Sequence, residues 1–171
     1  GDYLRQVEQR AAEQFGGKAT LSLTDQLVDG KLVVQQGIIA GCAGGMYDNI
    51  AEAAAILSGG DVGCGPFSLS VYPPSIPVNL ELMQNGVQQA LLEAGVLFKP
   101  CFCGPCFGAG DVPANNALSV RHTTRNFPNR EGSKPGDGQL SGVLLMDARS
   151  IAATARNHGV VTSAAEVDYP A

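Results

Sequence analysis

Apolar residues Tyr3, Leu4, Val7, Ala11 and Phe15 recur at helical spacing, which predicts a helix over residues 3–15 that Gly16-Gly17 stops. Residues 31–40 are apolar and β-branched with a break at Gly37. Their second part, Ile38-Ile39-Ala40, reads as a buried strand running into Gly41-Cys42-Ala43-Gly44-Gly45. An alanine-rich helix is expected over 48–57, ended by Ser58-Gly59-Gly60. Residues 67–72 alternate as a strand and stop at Pro73-Pro74. Val78, Leu82, Val87, Leu91 and Leu92 predict one helix over 77–94 with Gly95 as its stop. Val96-Leu97-Phe98, residues 117–122 and Val143-Leu144-Leu145-Met146 read as strands, residues 148–156 as a helix, and Val160-Val161-Thr162 as a last short strand.

Strands alternating with helices predict an α/β fold, a mostly parallel sheet with helices on both faces in three α/β/α layers. Ligands of such sheets collect at the carboxyl ends of strands. Cys42, Cys103 and Arg125 all follow predicted strands directly. Strand order is not encoded in the periodicity, and the chain shows no internal repeat.

Composition narrows the class. At 171 residues with 44% hydrophobic and 16% charged residues, the chain is expected to form one globular domain with a substantial core. No apolar run approaches the ~20 residues of a membrane-spanning helix, so no membrane partner is expected. A net charge of -5 argues against nucleic acid as a partner. The chain opens Gly1-Asp2-Tyr3, with no initiator methionine and no secretory leader. A domain cut from a longer protein is therefore expected. Five cysteines, odd in number and unevenly placed, fit thiols kept reduced in a cytoplasmic setting better than a disulfide framework.

Three of those cysteines fall in Cys101-Phe102-Cys103-Gly104-Pro105-Cys106. Twenty residues on comes an arginine-bearing loop, Thr124-Arg125-Asn126-Phe127-Pro128-Asn129-Arg130. Cys-Gly-Pro-Cys fits a thiol–disulfide redox module using Cys103 and Cys106, although no tryptophan precedes it and such a pair has no use for the arginines. Structural zinc could take Cys42, Cys103, Cys106 and either Cys101 or His122, but a second Cys-x-x-Cys or His-x-His pair is missing. Buried cysteines acting as small hydrophobes suit Cys64 better than the glycine-flanked Cys103 and Cys106. An iron–sulfur cluster held by a Cys-x-x-Cys pair and one remote cysteine would leave one iron open as a Lewis acid.

These residues carry a family resemblance. Ile38-Ile39-Ala40-Gly41-Cys42-Ala43-Gly44-Gly45-Met46-Tyr47-Asp48 resembles the aconitase-family segment in which a Gly-Ser-Cys-Thr-Asn loop enters a Tyr-Glu-Asp helix start. Cys103-Gly104-Pro105-Cys106-Phe107-Gly108 resembles the family's Cys-Gly-Pro-Cys-Ile-Gly, and Arg125-Asn126-Phe127-Pro128-Asn129-Arg130 its Arg-Asn-Phe-x-Gly-Arg. Order and spacing agree, and the likeness runs over about residues 36–165. Residues 1–35 show none; they read as a helix and extension of the same domain, with 36–171 as the cluster-binding α/β domain.

The resemblance implies a [4Fe–4S] cluster on Cys42, Cys103 and Cys106, with Arg125 and Arg130 holding the carboxylates of a di- or tricarboxylic hydroxy acid. Guanidinium suits that task, being permanently charged and able to bind a carboxylate through two parallel bonds. The implied activity is that of a hydro-lyase, which dehydrates and rehydrates its substrate at the open iron. The catalytic serine and histidine–aspartate pairs of the family lie on other domains, and nothing here matches them. The isolated domain is thus expected to be inactive, to lose or damage its cluster readily, and to need the remaining domains of a parent enzyme.

Departures from the family pattern bear on the substrate. Ala43-Gly44 stands where the family has Thr-Asn, Thr124 where it has Asn, and Asn129 where it has Gly. Cys101 is an extra thiol, expected to be a bystander. Arg121 and Lys134 are expected to be peripheral to the anion site. His122 lies near enough in sequence to contribute acid–base chemistry but reads first as structural; His158 reads as a helix C-cap, and Asp111 and Asp147 as turn or cap residues.

Overall fold

The computed structural model describes residues 1–17, 20–124 and 128–169. Helix α1 is Asp2–Gln14, followed by a hairpin of β1 (Leu27–Val28) and β2 (Lys31–Leu32). Then come β3 (Gln36–Ile39), α2 (Gly41–Gly44), α3 (Tyr47–Leu57), β4 (Ser68–Val71), α4 (Ile76–Gln84), α5 (Val87–Glu93) and β5 (Leu97–Phe98). The chain closes with β6 (Leu118–His122), β7 (Gly142–Leu145) and α6 (Ala148–Arg156). The fold is α/β, with six helices packed against one parallel sheet in the order β5-β4-β3-β6-β7.

Most elements form where the hydrophobic pattern expects them, and α2 is a short helix where only a glycine-rich segment was expected. The single helix over 77–94 is two helices, because Gly86 adopts a left-handed φ of 75° that ends one and starts the other. Val160 makes only an isolated antiparallel bridge to Val33 instead of a strand. The hairpin β1–β2 was not anticipated, although Asp29-Gly30 at its turn, both at positive φ, is a strong hairpin signal.

Register divides the sheet into two unlike faces. Paired residues of neighbouring parallel strands point the same way, so Gly37, Ile39, Leu69, Val71, Leu118 and Val120 share one face. That face is apolar except at its carboxyl end, where His122 pairs with Ile39, and α6 packs on it. A Cβ on Gly37 would meet Leu69, Phe67 and, at 3.1 Å, Ile151 of α6, which shows how closely that helix lies. Buried alanines bring α3 and α6 together: Ala53 and Ala54 on one, Ala148, Ala152, Ala153 and Ala155 on the other. Asp147 caps α6 by accepting from the backbone N–H groups of Arg149 and Ser150, and Ser75 caps α4 by accepting from Val78. The opposite face presents Gln36, Ile38, Ser70, Ser119 and Arg121, an unusual polar row inside a parallel sheet.

Strand order adds what periodicity lacked. The chain proceeds outward from β3 to β4 and β5, then returns to the other side of β3 for β6 and β7. The reversal point lies between the carboxyl ends of β3 and β6, where open α/β sheets form their ligand crevice.

Candidate functional site

At that crevice, α2 starts directly after β3 and presents Cys42. Glycines let it sit there. A Cβ on Gly44 would overlap the backbone oxygen of His122, at the end of β6, and one on Gly45 would overlap that of Tyr72, just after β4. Gly41 has φ 77°, and a Cβ on it would come within 2.7 Å of the Cys106 sulfur. Cys42 Sγ lies 3.3 Å from Thr124 Oγ1, in hydrogen-bond contact across the reversal point.

The cysteine loop reaches the same place from β5. Residues Gly104–Cys106 form a 3₁₀ turn, closed by Cys106 N–H donating to Cys103 O at 3.1 Å and Ala109 N–H to Gly104 O at 3.0 Å. Phe102 and Phe107 flank it edge to face, 6.1 Å between ring centroids, and both are exposed. Cys106 is buried while Cys42 and Cys103 face outward. Desolvation raises the Cys103 thiol pKa above its usual value, and the neighbouring Cys106 and Cys42 raise it further. Arg130 is close enough to oppose that shift. The loop of Arg130 abuts the cysteine loop directly: a Cβ on Gly108 would meet Gly132 Cα at 2.9 Å and Arg130 O at 3.0 Å.

Cys42, Cys103, Cys106 and Arg130 thus gather at the carboxyl edge of β3 and β6. Arg125 lies outside the described residues. Among those residues, no three Cys, His, Asp or Glu side chains converge on a point that one metal ion could occupy. Cys64 is exposed and Cys101 half-buried. His122, at the end of β6, has a buried Nδ1 that accepts no hydrogen bond in the described structure. Burial holds its pKa below the usual histidine value, against the upward pull of Asp147. His158 is remote, 3.5 Å from Asp61 on an exposed surface.

Two residues expected to be incidental hold the cysteine loop. Asp111, at φ 49°, accepts the Tyr72 hydroxyl at 2.7 Å and has Lys99 Nζ at 4.0 Å. Burial and that bond to Asp111 hold the Tyr72 phenol well above the usual tyrosine value. Arg121, expected at the periphery, is 2% exposed beneath the loop. Its Nε donates to Ser119 Oγ (3.0 Å), Nη1 to Pro105 O (3.2 Å), and Nη2 to Gln36 Oε1 and Asp111 O (both 3.1 Å). On β6, Ser119 and Arg121 alternate with Leu118 and Val120, which puts the arginine opposite the apolar face; that this second face is covered is decided by the tertiary structure.

Five parallel strands, a reversal between β3 and β6, and three thiols beside an arginine there define an open-sheet α/β protein with a sulfur-rich crevice site. Comparison with known proteins makes this specific. Residues 3–153 match the aconitase family (aconitate hydratase), and the chain belongs to that family. The matched residues take in most of the segment 1–35, where the motifs showed no likeness.

The chain is 32% identical over 125 residues to a 3-isopropylmalate dehydratase large subunit of Nitratidesulfovibrio vulgaris (strain DP4), covering 70% of this chain and 29% of that protein. It is 33% identical over 121 residues to 3-isopropylmalate dehydratase large subunit 1 of Methanopyrus kandleri, covering 70% and 29%. The large subunit of Pyrococcus horikoshii is 31% identical over 135 residues, covering 76% and 32%. The chain therefore spans about three-tenths of the length of these relatives. Among the described residues, no helix is long and apolar enough to cross a membrane.

Proposed function

We propose that this chain is the cluster-bearing domain of a hydro-lyase acting on a di- or tricarboxylic hydroxy acid, and that Cys42, Cys103 and Cys106 are the thiolate ligands of a [4Fe–4S] cluster. The observation that carries this reading is the gathering of those three sulfurs, one buried and two outward-facing, beside Arg130 at the sheet's reversal point. The donor set fits the group. Thiolates are the ligands iron–sulfur clusters use, and a cubane spaces them farther apart than a single ion does. When bound, the cluster supplies a Lewis-acidic iron toward which a substrate hydroxyl and carboxylate can turn.

The chain's own residues bind and orient. Arg130, with Arg125, binds substrate carboxylate by charge-assisted hydrogen bonds. The glycines of α2 let backbone amides approach the sulfur site. The outward-facing Cys42 and Cys103 leave the site open on one side, and further domains of a parent enzyme would cover it. The two alternatives, a Cys103–Cys106 redox pair and a structural zinc site, give the arginines no task.

Anaerobic reconstitution with iron and sulfide tests the proposal. The expected result is a broad visible cluster absorption, lost on Cys42→Ser, Cys103→Ser or Cys106→Ser and kept on Cys64→Ser and Cys101→Ser. Failure to take up iron and sulfide would refute it. A reversible two-electron dithiol couple in their place would establish the redox reading, and stoichiometric zinc the structural one. The reconstituted chain is expected to show no turnover of 3-isopropylmalate or aconitate by itself, and measurable turnover would overturn the need for further domains.

A further inference from the structure

Arg121 has no part in the chemistry above, yet its placement is the least expected in the molecule. Burying a guanidinium costs several kcal/mol unless it is fully hydrogen-bonded, and a leucine would fill the same space without that cost. Here the cost is met by four acceptors. Two belong to the sheet, Ser119 Oγ and Gln36 Oε1; two are backbone carbonyls of the cysteine loop, Pro105 and Asp111. Gln36 reinforces the arrangement, accepting from Ser119 Oγ at 2.7 Å and donating to the same Asp111 carbonyl at 3.0 Å. One planar group therefore ties the middle of the turn that bears Cys103 and Cys106, and the loop five residues beyond it, to two sheet strands. It also sets a fixed positive charge near the Cys106 sulfur, with the carboxylates of Glu131 and Asp111 close by.

We propose that Arg121 is the positioning residue of the cysteine loop: its fork holds Pro105 and Asp111, and so fixes Cys103 and Cys106 relative to Cys42. Only a planar, multi-donor cation can bridge these acceptors; a lysine in its place would keep the charge and lose the bridge. The proposal deepens the cluster reading, on which its electrostatic part rests, while the loop geometry is testable without any cluster.

The experiment uses the whole chain with Arg121→Met and Arg121→Lys. In the metal-free protein, hydrogen exchange of the Cys106, Phe107 and Ala109 amides and alkylation of the buried Cys106 are followed by mass spectrometry. Both should rise by about tenfold or more in Arg121→Met, and less in Arg121→Lys, while amides of β3 and β4 keep wild-type protection. After reconstitution, the cluster midpoint potential should shift negative in Arg121→Met and stay near wild type in Arg121→Lys, a distinction that mere loosening does not produce. Unchanged loop exchange and Cys106 alkylation in Arg121→Met would overturn the proposal. So would an equal rise across the core, or loss of the fold in both variants, since either assigns Arg121 to general stability. If wild type takes up no iron and sulfide, the cluster reading fails, and the metal-free measurements still decide the role of Arg121.

Discussion

Gly44→Ala tests how the first thiol is set against the sheet. A methyl group at this position would overlap the His122 carbonyl oxygen and lie 2.8 Å from its carbon, with the His122 Cβ at 3.1 Å. Relief requires α2 to move away from β6 or the end of β6 to shift. The same carbonyl accepts the Ala40 N–H at 3.1 Å, so a shift there weakens a bond that joins β3 to β6. Overpacking of about 1–3 kcal/mol and one compromised backbone hydrogen bond of about 1 kcal/mol give about 2–4 kcal/mol in total. That is a large share of the roughly 5–15 kcal/mol that holds a domain folded. With a urea dependence of about 2 kcal/mol per molar, the unfolding midpoint should fall by about 1–2 M at unchanged slope. Gly65→Ala is the control: nothing lies within 4 Å of its added Cβ, and its midpoint should move by less than about 0.5 kcal/mol equivalent. Because α2 carries Cys42, iron and sulfide uptake should fall in Gly44→Ala under conditions where the protein is still folded. Indistinguishable midpoints for the two variants would refute the close-packing argument.

Asp147→Ala should cost about 1 kcal/mol in a pH 7 urea melt, because the carboxylate caps α6 through the Arg149 and Ser150 amides at 3.0 and 3.1 Å. Partial burial pushes the Asp147 pKa up, but hydrogen bonds from Ser150 and Arg149 outweigh it and hold it below the ordinary value. The capping contribution is therefore complete above the unfolded value of about 4 and lost as pH falls through the lower folded one. Wild type and variant should converge in strongly acidic melts. Tyr72→Phe removes the 2.7 Å bond to Asp111 and should destabilise by about 1–2 kcal/mol, with faster amide exchange in the cysteine loop; an unchanged loop would count against the tether. Arg156→Ala should lower stability by about 1–2 kcal/mol in the same melts, since Nη1 donates to Ile56 O at 2.6 Å and satisfies the C-terminal turn of α3.

Local periodicity made most of the fold legible. The alternation in residues 67–72 and 117–122 and the alanine-rich run at 48–57 are decided by neighbouring residues, and each forms close to the place expected. The helix over 77–94 was misread as continuous, because five well-spaced apolar residues outweighed one glycine whose effect depends on the φ it adopts. The family resemblance grouped Cys42, Cys103 and Cys106, and the family match agrees with the likeness those motifs carry.

By itself, the sequence determined the α/β class, the thiol and arginine content of the site, and the family likeness. These depend on residue type and near-neighbour spacing. Only the tertiary structure decided the strand order, the crevice between β3 and β6, and the burial of Arg121 beneath a loop that lies before it in the chain. The physical reason is that a hydrogen bond such as that of Arg121 to Pro105 joins residues 16 positions apart through a sheet register that no local pattern specifies. The arginine looked peripheral as a letter among basic neighbours. The register of β6 against β3 places it on the polar face of the sheet, directly under the cysteines.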